Sequence, residues 1–514
     1  MDRLQLEEGD TSAATPRRLS STTLDVDAKT PSKADSKDEE YGRATIEPVS
    51  KEEDFDWETC PENPRNWTWG RKWTATSIIS YYTFVTPLAS SMMAPGLLQV
   101  AQVYHIRSEL VVAMTLSIFQ LSFAIGPLVI APISEMYGRT WVYHISNILF
   151  MAFNLGCAFS PTAGALVAFR FLSGMAGSAP VVCGGGSISD MFSEKDRASA
   201  MAVYTLGPLL GPVLGPIAGG WVAQSIGPKY VFIIIAGLCM IASLVGIPLL
   251  RETYGPLIRM RLDQARTGST KSHSRFRPPG LGGSQSPSQY LWDNLSRPMI
   301  LLTRSFLCFI LSLYMAFLYG IYYLMFATFA NFFKETYGFG AGIGGLCYLG
   351  LGVGFFAATL FGARLGNGLY AKLSKANGGV GKPEMRIPAL IIGSFFVPVG
   401  VFWYGWSAQA KIHWIMPIIG TAIFGFGLMT TFLPIQLYLV DSFKYAASAL
   451  GAAGVFRCLL GFAFPLFGQQ MYNTLGLGGG NSLLAGLGIV LGIPFPIWIY
   501  YYGERMRMKS SLTR

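Results

Sequence analysis

Long apolar runs, separated by short polar and mostly basic connections, constrain this chain more than any other feature. Twelve such runs can be read, at about 73–95, 112–133, 141–160, 165–189, 198–223, 230–250, 305–332, 342–363, 387–406, 413–439, 445–472 and 481–502. Each is close to the roughly 20 residues that a helix needs to cross about 30 Å of hydrocarbon. Hydrocarbon offers no water to an unpaired amide, so runs of this kind must fold as helices. Composition agrees, because 51% of the 514 residues are hydrophobic and only 13% are charged, outside the range of soluble domains. The sequence therefore predicts an all-α integral membrane protein with twelve transmembrane helices.

Between the runs lie the other regions. Residues 1–60 are polar, rich in Ser, Thr, Asp, Glu and Lys, and hold no apolar run before the first crossing. They read as a disordered cytoplasmic tail with no cleaved secretory signal. Residues 61–250 carry six runs, and residues 305–502 carry six more. The stretch 251–304 between them contains "SHSRFRPPGLGGSQSPSQ", a Pro/Gly/Ser-rich basic linker. Residues 503–514 form a short C-terminal tail.

The net charge of +10 follows from topology rather than from a nucleic-acid surface. With the N-terminus inside, only Arg107, Lys229, Lys334 and Lys411 fall in outward connections. This asymmetry places both termini and the linker in the cytoplasm. Six of the seven cysteines sit within the runs and the seventh, Cys60, on the cytoplasmic side, so they read as small packing residues and not as a disulfide framework. The sequons at Asn66 and Asn294 also fall inside and are expected to carry no glycan.

The fifth run contains "TLGPLLGPVLGPIAGG". Gly207, Gly211, Gly215 and Gly219 recur every four residues and share one slowly drifting helix face, with Pro208, Pro212, Pro216 and Gly220 beside them. Small residues let helix backbones approach closely in lipid, while neighbouring helices or cavity water can satisfy the carbonyls that proline frees.

These features, taken in order along residues 61–505, resemble the major facilitator superfamily, and within it the drug:proton antiporters with twelve spans. The Gly-Pro stretch resembles the antiporter signature of the fifth helix. That resemblance implies packing against a helix of the other half and a role at the hinge between halves. "PENPRNW" looks like the cytoplasmic lead-in of fungal members. "APISEMYGR" resembles the loop signature between helices two and three, with Glu135 where Asp is usual and Arg139 matching, and it departs at Ala131 and Thr140. "RFLSGMAGSAPVVCGGGSISDMF" resembles the fourth-helix signature and places Arg170 on its arginine. "KANGGVGKPEMRIP", "YLVDSFKYAASALGAAGVFR" and "YYGERMR" are similar to fungal multidrug and secondary-metabolite exporters. The resemblance implies two pseudo-symmetric six-helix bundles rocking about a central site.

Few residues are equipped to carry transport. An arginine in hydrocarbon is costly, at least about 2.5 kcal/mol on insertion scales, so one that persists should face a cavity or a partner. Arg170 lies near the outer end of the fourth run, where it could snorkel, and Arg457 lies midway along the eleventh. No Asp or Glu falls within any run. Glu135, Asp190 and Asp441 lie at cytoplasmic helix ends, where they serve either as protonation sites or as an ion-pair latch with Arg139, Arg197 or Lys444. Without deep carboxylates the chain favours neutral or anionic cargo over polyamines. In "LYMAFLYGIYYLMFATFANFF", helix spacing puts Tyr319, Tyr322 and Tyr323 on one face. These tyrosines, Asn331, Gln436 and Tyr438 are the candidate cavity residues.

The four histidines, His105, His144, His273 and His413, show no metal-ligand or catalytic spacing, so no enzyme, metal or cofactor is expected. The expected function is secondary export of small organic molecules, drugs or a fungal secondary metabolite, by proton antiport. The proton gradient is the expected energy source, and the chain is expected to work as a monomer. The plasma membrane is the expected location, with a vacuolar or other internal membrane as the alternative. A dedicated exporter of one anionic metabolite is a second reading, and a non-transporting membrane sensor is a third, of another class.

Overall fold

Apolar length dictates where helices form, and the few polar or glycine positions dictate where they stop. The computed structural model describes residues 57–267, 286–510 and 512–513. The tail up to residue 56 and the Pro/Gly/Ser-rich centre of the linker lie outside the described residues. The first half comprises α1 (Trp69–Ser91), the short α2 (Leu97–Val103), α3 (Glu109–Tyr137), α4 (Arg139–Ala158), α5 (Ala163–Gly177), α6 (Ala179–Met191), α7 (Glu194–Ser225) and α8 (Pro228–Leu249). In the connection lie α9 (Gly255–Thr267) and α10 (Pro287–Arg304), so the described flanks of the linker are helical. The second half comprises α11 (Phe306–Tyr337), α12 (Ala341–Leu346), α13 (Leu349–Ala357), α14 (Ala363–Ala376), α15 (Ile387–Gln409), α16 (Ile415–Ser442), α17 (Ala446–Gly492) and α18 (Pro494–Lys509).

Among the described residues, ten helical stretches are long and apolar enough to cross a membrane, and the twelve runs reconcile with them in two places. The 20-residue α4 is missing from the ten, and it carries His144, Asn147 and Asn154. Asn147 turns its amide inward, donating from Nδ2 to the Cys239 carbonyl at 2.8 Å and to Ser243 Oγ at 2.7 Å. The second place is the 64-residue stretch Ala446–Lys509, which at 1.5 Å per residue is far too long for one crossing. Gly476 breaks it with φ 70° and ψ 167°, a conformation that glycine adopts without a steric cost. The fourth crossing is made by α5 and α6 in succession. The eighth is made by α12, α13, one turn of π-helix at Ala358–Gly362 and α14.

The Gly-Pro stretch lies inside one continuous helix, α7, and its glycine row meets a different neighbour from the one the resemblance implies. A Cβ added at Gly207 would lie 2.9 Å from Phe84 N, at Gly211 2.8 Å from Leu88 N, and at Gly215 2.8 Å from the Leu88 carbonyl oxygen. At Gly219 it would overlap the Met92 carbonyl. The row therefore seats α7 on α1 of the same half, backbone to backbone. The adjacent face makes the contact with the other half. A Cβ at Gly220 would meet the Ala341 carbonyl oxygen at 2.3 Å, and one at Gly345 would meet that of Pro216 at 2.4 Å. Gln224 Oε1 also accepts the Gly342 N–H at 2.7 Å.

These contacts between halves lie at the C-terminal end of α7. The opposite end of the bundle carries the basic connections and is called the basic face here. There α10 packs against α3 of the first half and α17 of the second.

Candidate functional site

Where the two halves face one another they enclose a cavity of about 420 Å³, lined from both sides. The first half contributes Ser90 of α1, Phe119, Gln120 and Phe123 of α3, and Thr205, Pro208 and Pro212 of α7. The second contributes Tyr319, Tyr322 and Tyr323 of α11, Phe355 of α13, Phe432 and Gln436 of α16, and Arg457 of α17. Pro208 and Pro212 of α7 thus form cavity wall while its glycine row seats it on α1.

The tyrosine face is assembled as helix spacing predicts. Ring centroids stand 5.6 Å apart for Tyr319 and Tyr322, 5.0 Å for Tyr319 and Tyr323, and 5.3 Å for Tyr322 and Tyr323. Phe355 lies 5.7 Å from Tyr322, and Phe432 6.3 Å from Tyr319. Separations of this size suit tilted and edge-to-face aromatic contacts. Tyr323 also crosses the seam: its hydroxyl pairs with Ser90 Oγ at 3.1 Å and accepts a hydrogen bond from Gln120 Nε2.

Asn331 and Tyr438 do not belong to this wall. Asn331 stands more than two helical turns beyond Tyr323 along α11, past the level of the cavity. Tyr438 is fully buried on the side of α16 away from Gln436, since two residues turn a helix by about 200°. A Cβ added at Gly503 of α18 would lie 3.2 Å from its hydroxyl.

The two intramembrane arginines have different surroundings. Arg170 is wholly buried and does not snorkel. Its Nε donates to the Thr115 carbonyl at 3.3 Å, Nη1 to that of Ala89 at 3.0 Å, and Nη2 to that of Ser90 at 3.3 Å. Ala89 and Ser90 lie in the last turn of α1, where intrahelical donors run out, so Arg170 caps that helix at its negative dipole end. The Phe119 ring lies 4.9 Å from its guanidinium carbon. Arg457 instead reaches the cavity. Its guanidinium carbon sits 4.7 Å from the Tyr319 ring centre, and its Nε has no hydrogen-bond partner. No acidic residue is among the described cavity residues, and Arg457 is their one formal charge.

The acidic candidates gather at the basic face, away from the cavity. Arg139, at the start of α4, pairs with Asp190, at the end of α6, at 2.8 Å. Arg386, just before α15, pairs with Asp441, at the end of α16, also at 2.8 Å. The two pairs occupy corresponding places in the two halves. Asp441 does not pair with Lys444, whose backbone N–H goes to the Leu512 carbonyl at 3.2 Å as the chain leaves α16. Nor does Asp190 take Arg197, whose Nε is buried without a partner. Glu135 accepts a 2.6 Å hydrogen bond from the Tyr290 hydroxyl on α10. Burial and the Glu135 carboxylate raise the Tyr290 phenol above its ordinary range, so it donates at every physiological pH.

Sequence reasoning missed Ser90, Gln120, Glu252, Tyr290 and Arg386. Glu252 accepts the backbone N–H of Arg139 at 3.0 Å and of Thr140 at 3.2 Å, capping α4. Gly138 makes room at φ 99°, since a Cβ there would lie 2.4 Å from Glu252 Oε2. The available signal was Gln120, the one amide side chain within the second run.

Two helical halves meet at a shared, aromatic-lined cavity within a membrane-length bundle, an arrangement suited to passing a small molecule between them. Comparison with known proteins carries this to the family. Residues 79–465 match the model of the Major Facilitator Superfamily, and the chain belongs to that superfamily. It is 44% identical over 455 residues to the efflux pump vrtL of Penicillium aethiopicum, covering 88% of this chain and 89% of that one. It is 45% identical over 466 residues to the MFS-type transporter penM of Penicillium rubens, again covering 88% and 89%. Among solved structures, the xylose transporter XylE from E. coli in a partially occluded inward open conformation superposes with a TM-score of 0.61. At 14% identity, covering 84% of this chain and 98% of that one, this likeness concerns the fold alone. The chain is a transporter and not an enzyme.

Proposed function

We propose that this chain is a secondary exporter of small organic molecules, working by alternating access and driven by proton antiport. The observation that carries this reading is the cavity at the seam, walled by aromatic rings from both halves and by the Gly-Pro helix of the first. Residues of both halves would have to part for cargo to pass. Relatives named as efflux pumps support the outward direction. The basic face is then cytoplasmic, with both termini there, and the matched ion pairs Arg139–Asp190 and Arg386–Asp441 would be made and broken as the halves rock. Those acids and Glu135, or the substrate itself, would carry the proton, since no acidic residue is among the described cavity residues. The chain would act as a monomer in the plasma membrane.

A second reading, dedicated export of one anionic metabolite, is favoured by the uncompensated charge of Arg457. Metabolite profiling of cells and medium, with and without the gene, tests both readings. Compounds that shift from medium to cells on deletion, with export collapsing under a protonophore, are the expected result. A single acid that shifts selects the dedicated reading, and hypersensitivity to many unrelated apolar compounds selects a multidrug pump. No shift and no hypersensitivity would overturn transport and favour a sensor.

A further inference from the structure

A second cavity, of about 470 Å³, opens at the basic face where the start of α11 meets the end of α18. Its walls are held in place. Ser305 caps α11, its hydroxyl accepting the Cys308 N–H at 3.4 Å. The chain beyond α18 folds back on α16, so that the Leu512 carbonyl takes the Lys444 N–H at 3.2 Å, and Thr513 Oγ1 donates to the Ser510 carbonyl at 2.9 Å. The lining is of two kinds: Arg304, Lys509 and Ser510 are polar, while Phe306, Met506 and Leu512 are apolar.

Charge at this corner is unevenly spent. Arg507 takes Glu384 at 3.1 Å and Lys382 takes Glu504 at 2.8 Å. Arg304 and Lys509 enter none of the ion pairs among the described residues, and no acidic residue is among the described residues of the cavity. Each stands in the last turn of its helix, α10 and α18, where the dipole offsets only a fraction of a charge. Exposed apolar surface starts at the same place. Phe306 is 45% exposed and Tyr502 49%, and both rings touch Trp498. Trp498, Tyr502 and Lys509 share one face of α18, being four and then seven residues apart. A small anion would use the two cations and leave the apolar half of the lining bare. A molecule with a phosphodiester head and hydrocarbon chains would use both. We propose that this cavity holds an anionic phospholipid, with its phosphate against Arg304 and Lys509 and its chains along Phe306 and Trp498. A zwitterionic lipid brings its own cation and gains less there. The site goes beyond the transport reading and depends on neither cargo nor energy source.

The test uses the purified full-length protein in detergent micelles and three probes: phosphatidylglycerol, phosphatidylcholine and glycerophosphoglycerol, which is the first without its chains. Bound probe is counted by native mass spectrometry across a titration. Phosphatidylglycerol is expected to bind roughly 10- to 30-fold more tightly than phosphatidylcholine, about 5-fold for each cation. Arg304→Gln together with Lys509→Gln should abolish that preference, and either alone should cut it about 5-fold. Arg304→Lys should retain most of it, which separates loss of charge from loss of fold. Lys372→Gln with Lys375→Gln removes the same charge from α14, whose Tyr370 packs on Arg386 at the same face, and should leave the preference intact. An equal loss in that control would reduce the effect to diffuse surface charge and overturn the site. Equal binding of the two lipids by the parent would do the same. Glycerophosphoglycerol binding as tightly as the intact lipid would make this a site for a soluble phosphodiester and overturn the lipid. A parent that shows the lipid preference and exports nothing would lose the transport reading and keep this one.

Discussion

Arg170 and Arg457 are the same residue type, one in each half, both placed where a charge is expensive, and the structure uses them in opposite ways. Arg170 spends its donors on three backbone carbonyls in α1 and α3. It joins the open end of one helix to the side of another, and its charge is answered by a helix dipole. Arg457 lines the cavity as the one formal charge among its described residues, and its buried Nε has no hydrogen-bond partner. A buried charge that is fully partnered holds structure together, whereas one that is not awaits a partner from outside. Depth in the membrane does not distinguish the two, but hydrogen-bond accounting does.

The sharpest way to break this comparison is to remove each charge in turn. Arg170→Met strands the Ala89 and Ser90 carbonyls and should cost about 3 kcal/mol of stability. The expected readout is a large fall in the thermal midpoint of the purified protein and poor delivery to the membrane. A midpoint equal to that of the parent would place Arg170 with the transport residues after all. Arg457→Met should change stability by less than about 1 kcal/mol, because an uncompensated buried charge is often replaced by an apolar side chain at no loss. A collapse of the fold in that variant would mean that Arg457 is structural. The smallest effect is expected for Ser90→Ala, which removes one of the two partners of the Tyr323 hydroxyl and leaves Gln120 in place. About 1 kcal/mol or less is at stake. The change should appear as a shift in transport rate at unchanged cargo preference, and altered preference would extend the cargo site to Ser90.

The crossings were legible because the bilayer imposes a length on every helix and hydrocarbon tolerates few alternatives. The one helix below the apolar standard, α4, is polar for a reason the sequence could not display. Its Asn147 answers a carbonyl and a hydroxyl on α8, 92 and 96 residues away. The tyrosine trio was legible because it sits on a single helix, where spacing fixes direction. Asn331 and Tyr438 were misplaced because residue type says nothing about the level or the side at which a cavity ends. The partners of the acids were the least legible part. Asp441 finds Arg386, 55 residues away, in preference to Lys444 beside it, because helix ends from different parts of the chain meet at the basic face. Arg170 was recognisable as special, but its role as a cap depends on where α1 stops.

The two faces of α7 also bear on how such a carrier could change its cargo over time. Its glycine row is locked against α1 at distances that admit no side chain, and its prolines leave that wall of the cavity with few groups that could be exchanged. Most of the rings, and the charge, stand on α11, α13, α16 and α17, where a substitution alters the lining without touching the tightest helix contact in the first half. A carrier built this way can acquire a new preference by drift in one half while the other keeps the fold, so the second half is the place to look when relatives with different cargoes are compared.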